Sequence, residues 1–153
     1  MSQQLINRRT LLASAISGLV VASNAANAAA YPSIKAYRNP GCGCCEKWAG
    51  LMKEAGFAIT LEDDEDLAGR KEKLGVPADL AGCHTALMED YVIEGHVPVD
   101  DIKRLLVERP VARGLAVPGM PAGSPGMENG GPPDAFMVFL FKNDGSKTIY
   151  AAH

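Results

Sequence analysis

The sequence predicts an α/β (α+β) fold, and three observations indicate it. Short segments that read as strands alternate along the chain with segments whose apolar residues recur at helical spacing. Most of them lie before residue 110, and a stretch rich in glycine and proline at 110–134 separates them from two further apolar segments. This order is typical of a thioredoxin-like domain with a long Gly/Pro/Met loop and an added C-terminal β-hairpin.

The elements before the long loop follow from the periodicity of apolar residues. Residues 34–38 alternate in polarity and read as a strand. The helix that follows carries its apolar residues at positions i, i+3, i+4 and i+7, and Gly56 is placed to end it. The predicted elements are, in order, a strand at 34–38, a helix from Glu46 to Gly56, a strand at 57–61, a helix at 67–75, a hairpin with strands at 85–88 and 91–93, and a third helix after Pro98.

The stretch at 110–134 is predicted to be a loop. It contains Pro-Gly-Met twice, ending at Met120 and at Met127. Loops of this length in a small domain are usually functional or disordered. After it, residues 135–141 form a continuous apolar segment, and residues 148–150 return as its partner across an Asn-Asp-Gly turn. These two segments predict the C-terminal hairpin.

Residues 1–30 are predicted to be an export signal peptide. Arg8-Arg9 precedes an apolar run at 11–21, and small residues close the segment in an A-x-A pattern. The run is too short to span a bilayer, although an uncleaved anchor is the alternative. The paired arginines suit the twin-arginine export route. The mature chain, 31–153, is therefore expected to be one periplasmic domain with no membrane attachment after cleavage.

The charge of the mature chain argues against nucleic acid as a partner. The whole sequence holds 15 Lys and Arg against 18 Asp and Glu. Removing the signal removes Arg8 and Arg9 and no acidic residue, which leaves a net charge of −5. Binding to phosphate backbones needs a basic surface.

Cysteine placement is the main functional signal. Cys42, Cys44 and Cys45 lie within four residues before the first helix, and the fourth cysteine is in Cys83-His84. Exported cysteines usually form disulfides, whose Cα atoms lie about 5.5 Å apart. Adjacent Cα atoms are only about 3.8 Å apart, so only one clustered cysteine can pair comfortably with Cys83. The other two cysteines would either form a strained disulfide with each other or remain free thiols. A disulfide that only stabilises the fold does not need this arrangement.

The predicted fold brings the two cysteine-containing segments together. In a thioredoxin-like domain, the loop after the first strand lies beside the segment that enters the third strand. The cluster at 42–45 would then face Cys83 and His84, although 37 residues separate Cys45 from Cys83. We therefore expect one shared site.

The chemistry of the cluster allows two functions, because thiolate both binds metals and attacks disulfides. Cys42 and Cys45 have the C-x-x-C spacing of redox proteins, but Cys44 between them would invite disulfide scrambling. Soft thiolates select Cu(I), whereas zinc prefers a closed tetrahedron such as three cysteines and a histidine. Copper(I) is therefore the predicted metal, with zinc as the alternative.

The other candidate ligands are methionines and a histidine. Thioether sulfur binds Cu(I) and scarcely binds zinc, so Met120 and Met127 favour copper. The alternative is that they cover a hydrophobic groove. His84 is predicted to bind the metal, or else to orient Cys83 or act as its base. His96 is interpreted either as a solvated turn residue or as a residue that contacts a metal-binding side chain without binding the metal itself. Trp48 is interpreted as a core residue.

Several separate blocks of the sequence match one known family in order. They are Asn39-Pro-Gly-Cys-Gly-Cys-Cys45, Trp48, Gly82-Cys-His-Thr85, Tyr91-Val-Ile-Glu-Gly-His-Val-Pro98 and Gly114-Leu-Ala-Val-Pro-Gly-Met-Pro121-x-Gly-Ser-Pro-Gly-Met127. Together they resemble the bacterial domain-of-unknown-function family number 411, over nearly all of the mature chain. The resemblance implies an exported metal-binding protein of a kind often associated with copper handling. It implies a metal site at Cys42, Cys44, Cys45, Cys83 and His84, with Met120 and Met127 behind them.

The functional prediction is an exported soft-metal protein that binds copper(I) as a carrier or scavenger in copper handling. No substrate pocket or proton-relay motif is apparent, so no enzymatic turnover is predicted. The expected partners are the metal ion and another periplasmic copper-handling protein. Two alternatives stay open: a periplasmic thiol-disulfide oxidoreductase that uses Cys42 and Cys45, and a disulfide-stapled, non-catalytic interaction domain.

Overall fold

The computed structural model describes residues 31–153, so the predicted export signal at 1–30 lies outside the described residues. The strands are β1 Ile34–Arg38, β2 Ile59–Asp63, β3 His84–Met88, β4 Tyr91–Glu94, β5 Gly114–Ala116, β6 Met137–Phe141 and β7 Lys147–Ala152. The helices are α1 Gly43–Glu54, α2 Leu67–Lys73 and α3 Val99–Glu108, with a short 3-10 turn at Ala78–Leu80. Within residues 31–153, no helix has the length and apolar character needed to cross a membrane.

The seven strands form one mixed sheet in the order β2-β1-β3-β4-β5-β6-β7. The pairs β1–β2 and β4–β5 are parallel, and the other neighbouring strands are antiparallel. Between β1 and β3, Arg38 lies opposite His84. Because the end of an antiparallel strand meets the start of its neighbour, the loop that follows β1 lies beside the residue that precedes β3. This register positions the site.

The predicted α/β class is confirmed, and β6 and β7 pair as an antiparallel hairpin. Several element ends differ from the prediction by one to three residues, and three differences are described here. Helix α1 begins at Gly43 and not at Glu46, so Cys44 and Cys45 lie in its first turn. Strand β2 begins two residues later than predicted. Strand β5 lies inside the stretch that was predicted to be a loop, because a three-residue segment is too short to show periodicity and is fixed by its pairing with β4 and β6.

The core is formed by one face of α1 and one face of α3 packed with residues of the sheet. Trp48 and Met52 are four residues apart on α1, and Ile102 and Leu105 are three apart on α3, so each pair shares a helix face. All four side chains are fully buried and belong to one apolar cluster. The prediction that Trp48 is a core residue is confirmed.

Candidate metal centre

The cluster of three cysteines is held at the start of α1. Cys42 is the residue before the helix, with an extended backbone, and Cys44 and Cys45 follow in the first turn. The guanidinium of Arg38, at the end of β1, donates a hydrogen bond to the Cys42 carbonyl over 2.9 Å. Arg38 also forms ion pairs with Glu46 and Asp63, which fix its side chain. The arginine therefore ties the cysteine loop to the edge of the strand from which it emerges.

Cys83 is the central sulfur of the site. Its Sγ atom lies 3.0 Å from the Sγ of Cys42, 3.2 Å from that of Cys44 and 3.3 Å from that of Cys45. All four sulfur atoms lie within 4.8 Å of one another. Cys45 is buried, and the other three cysteines are partly exposed. The two distant cysteine segments thus meet, because β1 and β3 are neighbours in the sheet.

The structure places a disulfide within the cluster and not across the two segments. Cys42 and Cys45 are bonded, with their Cα atoms 5.4 Å apart, and Cys44 and Cys83 are free thiols. The pairing of a clustered cysteine with Cys83, considered from the sequence, is therefore not formed. The C-x-x-C spacing at the start of a helix already brings two Cα atoms into the range of an ordinary disulfide. Reduction of this bond gives four thiols around one point.

His84 provides a nitrogen donor close to the sulfur of Cys83. Its side chain is fully buried between the rings of Trp48 and His96, whose centroids lie 4.3 and 5.0 Å away. Neither ring nitrogen has a hydrogen-bond partner among the described residues. Burial, followed by the charges of His96 and Lys71, holds the pKa of His84 well below its ordinary value, so the ring is neutral. A neutral imidazole has one nitrogen lone pair that can bind a metal.

His96 is also buried, which corrects its interpretation as a solvated turn residue. Its Nδ1 lies 2.8 Å from the carbonyl oxygen of Pro125. A carbonyl can only accept, so Nδ1 carries the proton and Nε2 presents a lone pair. That Nε2 is buried and has no partner within residues 31–153. Burial lowers the pKa of His96, which keeps the ring neutral.

The donor atoms fall into two groups that share Cys83. One group is the four cysteines, and the other is Cys83 with His84 and His96, each within 4.8 Å internally. A buried polar atom without a partner costs about 1–3 kcal/mol, and a bound metal ion would give the unpartnered nitrogens of His84 and His96 a partner. Sulfur and imidazole together suit Cu(I) and Zn²⁺ and do not suit hard cations such as Ca²⁺. The residues present therefore fit a soft metal ion.

Protonation of Cys83 opposes this binding. Burial, together with the hydrogen bond and charge of Cys44, raises the pKa of the Cys83 thiol to about 12. Without a metal, the thiol therefore keeps its proton at neutral pH. A metal ion must displace that proton, so metal binding at this sulfur releases protons.

The two methionines occupy different positions relative to the sulfurs. Met120 is 55% exposed and lines an open cleft of about 420 Å³ together with Cys83. The backbone next to it is fixed by a hydrogen bond from Gly119 N–H to the Ala81 carbonyl. Met127 follows Gly126, which has φ of +87° and lies so close to α1 that a Cβ atom there would be 2.9 Å from the Cys44 carbonyl. The Gly/Pro/Met loop therefore packs on the first turn of α1, with Met120 at the open side of the site.

The sequence analysis considered His96 but did not count it among the metal donors, and it did not single out Arg38. The donor position of His96 could have been found from the hairpin, because β3 and β4 pair with Thr85 opposite Glu94 and thus bring His84 near the residues that follow β4. Arg38 carries no such signal. Its role depends on the distance from its guanidinium to a carbonyl, and that distance is decided by how the loop folds back.

Comparisons with known proteins agree with this geometry. The family model described as "Protein of unknown function, DUF411" matches residues 80–127, which include Cys83, His84 and His96. No curated protein matches the chain. A solved structure of the copper resistance protein CopG, form 2, is 39% identical, with a TM-score of 0.77 over 80% of this chain and 98% of that one. Form 1 is 40% identical, with a TM-score of 0.75 and the same coverage. This chain therefore belongs to the DUF411 family.

Proposed function

We propose that this protein binds Cu(I) through its cysteine thiolates and acts as an exported carrier or scavenger in copper handling. The observation that carries the proposal is the position of Cys83, whose sulfur contacts the three other cysteine sulfurs and lies beside two buried, neutral histidines. A donor set dominated by thiolate selects Cu(I). The two similar solved structures are two forms of one copper resistance protein, which supports copper as the metal.

Zinc is the alternative metal for the same donors. A tetrahedron of three cysteines and a histidine would satisfy it. Four cysteines could also hold zinc. Copper is favoured because Met120 adds an exposed thioether beside Cys83, and thioether sulfur binds Cu(I) and scarcely binds zinc. A periplasmic location follows from the export signal predicted at 1–30, and another periplasmic copper-handling protein is the proposed donor or acceptor of the ion.

A thiol-disulfide oxidoreductase is the second candidate function. The Cys42–Cys45 disulfide favours this function. The free Cys83 sulfur lies 3.0 Å from the Cys42 sulfur, and disulfide exchange proceeds by attack of a thiolate on a disulfide sulfur. A dithiol substrate would reduce the bond to two thiols and would itself become a disulfide. The strand order β2-β1-β3-β4 supports a thioredoxin-like assignment for this part of the chain, but a fold does not by itself establish redox function. We favour a carrier without turnover because Cys44 and Cys83 leave competing thiols beside the bond.

The test compares reduced and oxidised protein in Cu(I) competition with a strong chelator. Reduced protein is expected to take Cu(I) from the chelator, because all four thiols are available. Protein oxidised at Cys42–Cys45 is expected to bind more weakly, because two of the four thiols are consumed. Metal analysis of protein purified from its own exported compartment provides an independent measurement of copper against zinc.

An insulin-reduction assay separates the two candidate functions. The carrier is expected to reduce insulin no faster than the uncatalysed background. Catalysed reduction together with failure to compete for Cu(I) would favour the oxidoreductase. Full oxidation of all four cysteines, with no metal uptake after reduction, would favour the stapled interaction domain.

Replacing Met120 by leucine tests whether the exposed thioether binds the ion. We expect Met120→Leu to lower the Cu(I) affinity by a factor of up to about 10, which corresponds to about 1.4 kcal/mol. Folding stability should not change, because the side chain is 55% exposed. The matched control is Met137→Leu, which alters another partly exposed methionine, on β6, and is expected to leave affinity unchanged. Equal affinities for both variants and the wild type would assign Met120 to packing only.

A further inference from the structure

A buried carboxylate contacts the residues that flank Cys83 and His84, and it is not one of the proposed metal donors. Glu94, at the end of β4, is completely buried. Its carboxylate accepts hydrogen bonds from the backbone N–H of Gly82 over 2.7 Å and from the hydroxyl of Thr85 over 2.6 Å. It also forms an ion pair with the ammonium of Lys71, which donates a second hydrogen bond to Thr85 over 2.7 Å. Both carboxylate oxygens are therefore occupied.

The partners of Glu94 flank the proposed ligands in the sequence. Gly82 directly precedes Cys83, and Thr85 directly follows His84. The carboxylate thus holds the chain on both sides of the Cys83-His84 pair. Lys71 belongs to α2, so the ion pair also connects that helix to the segment that enters β3.

Stability alone does not account for a buried ion pair of this kind. The cost of removing two charges from water largely offsets their attraction, and apolar residues of similar size are often equally stabilising. The contacts of the Glu94–Lys71 pair indicate a different role, which is to fix the chain on either side of Cys83 and His84. The position of Cys83 Sγ matters in particular, because Cys83 is the one donor shared by the four-cysteine group and the group with His84 and His96.

We propose that the Glu94–Lys71 pair, with Thr85, is a positioning device that holds Cys83 and His84 in the geometry needed to bind the metal. The inference rests on the proposed Cu(I) function. Groups that orient metal ligands from outside the donor set typically change metal affinity by about 10–100-fold when they are removed. The pair contributes no donor atom itself.

The test replaces both members of the pair by apolar residues. The double variant Lys71→Met/Glu94→Leu removes the hold on Gly82 without leaving an unpaired buried charge. We expect its Cu(I) affinity to fall about 10–100-fold. Its urea unfolding midpoint should fall only modestly, because Gly82 N–H and the buried Thr85 hydroxyl lose their partners while no unpaired charge is left buried. X-ray absorption of the Cu(I) form is expected to show fewer copper–sulfur contacts, a change that a general loss of stability does not produce.

The matched control is Arg104→Met/Asp101→Leu, which removes another ion pair with a buried carboxylate, on α3. It is expected to retain the wild-type affinity. Wild-type affinity in Lys71→Met/Glu94→Leu would overturn this inference alone, whereas wild-type protein that fails to bind Cu(I) would overturn the proposed function as well.

If the double variant does not fold, the single variant Thr85→Val provides the test instead. It removes one donor to Glu94, so a several-fold weaker affinity supports the inference and an unchanged affinity overturns it.

Discussion

Replacing Cys83 by serine is expected to lower the Cu(I) affinity of the reduced protein by at least about 100-fold, or more than about 2.7 kcal/mol. Its sulfur lies within 3.3 Å of the three other cysteine sulfurs and is the one donor that both groups of candidate ligands share. A hydroxyl oxygen is a hard donor and does not replace a thiolate for Cu(I). The measurement is competition against a Cu(I) chelator at fixed pH.

The remaining cysteines provide the comparison for Cys83→Ser. Cys42→Ser also removes a thiolate and is expected to weaken binding greatly, but it leaves Cys44, Cys45 and Cys83 together. Unfolding of each variant by urea, without metal, checks that the fold is retained. A Cys83→Ser variant that competes for Cu(I) as well as the wild type would show that the two cysteine segments do not form one metal site.

Replacing Trp48 by alanine is expected to reduce the free energy of unfolding by about 3–5 kcal/mol. The side chain is fully buried in the core cluster, and its Nε1 donates a hydrogen bond to the Val97 carbonyl over 3.0 Å. The variant loses the buried ring, creates a cavity and leaves that buried carbonyl without its donor. Chemical denaturation of the reduced, metal-free protein measures the loss.

Trp48→Phe separates packing from hydrogen bonding. It keeps most of the ring volume and loses the donor, so the expected loss is smaller, about 1–3 kcal/mol. The indole ring lies 4.3 Å from the ring of His84 and therefore forms one wall of the nitrogen-donor side of the site. We expect Trp48→Ala to weaken Cu(I) binding as well. Stability of the alanine variant equal to that of the wild type would contradict the placement of Trp48 at the centre of the core.

The donor set and the redox state of the cluster are linked. Cys42 and Cys45 are used either in their mutual disulfide or as metal ligands, and the same atoms do not serve both purposes at once. Metal affinity is therefore expected to depend on reduction. This dependence explains why one arrangement of four cysteines is compatible with both a copper carrier and an oxidoreductase, and why the proposed experiments measure metal affinity in defined redox states.

Local sequence patterns were sufficient for most elements and for the identity of the main donors. Strand β1, the β3–β4 hairpin and helix α3 follow from short-range periodicity, which depends on neighbouring residues only. The convergence of Cys42–Cys45 on Cys83 was also predictable, since the element order implies that β1 and β3 are adjacent. Strand β5 was not predictable, because three residues carry no usable period and their structure comes from the strands on either side.

Residue types and spacing along the chain determine which atoms are soft donors, because thiolate and thioether chemistry belongs to the side chain and does not depend on the fold. Long-range packing decides which of those atoms can act together. Burial makes His84 and His96 neutral and leaves their nitrogens without partners, and burial is a property of the assembled core. The same holds for Glu94, whose charge is tolerated only because Gly82, Thr85 and Lys71 surround it in three dimensions.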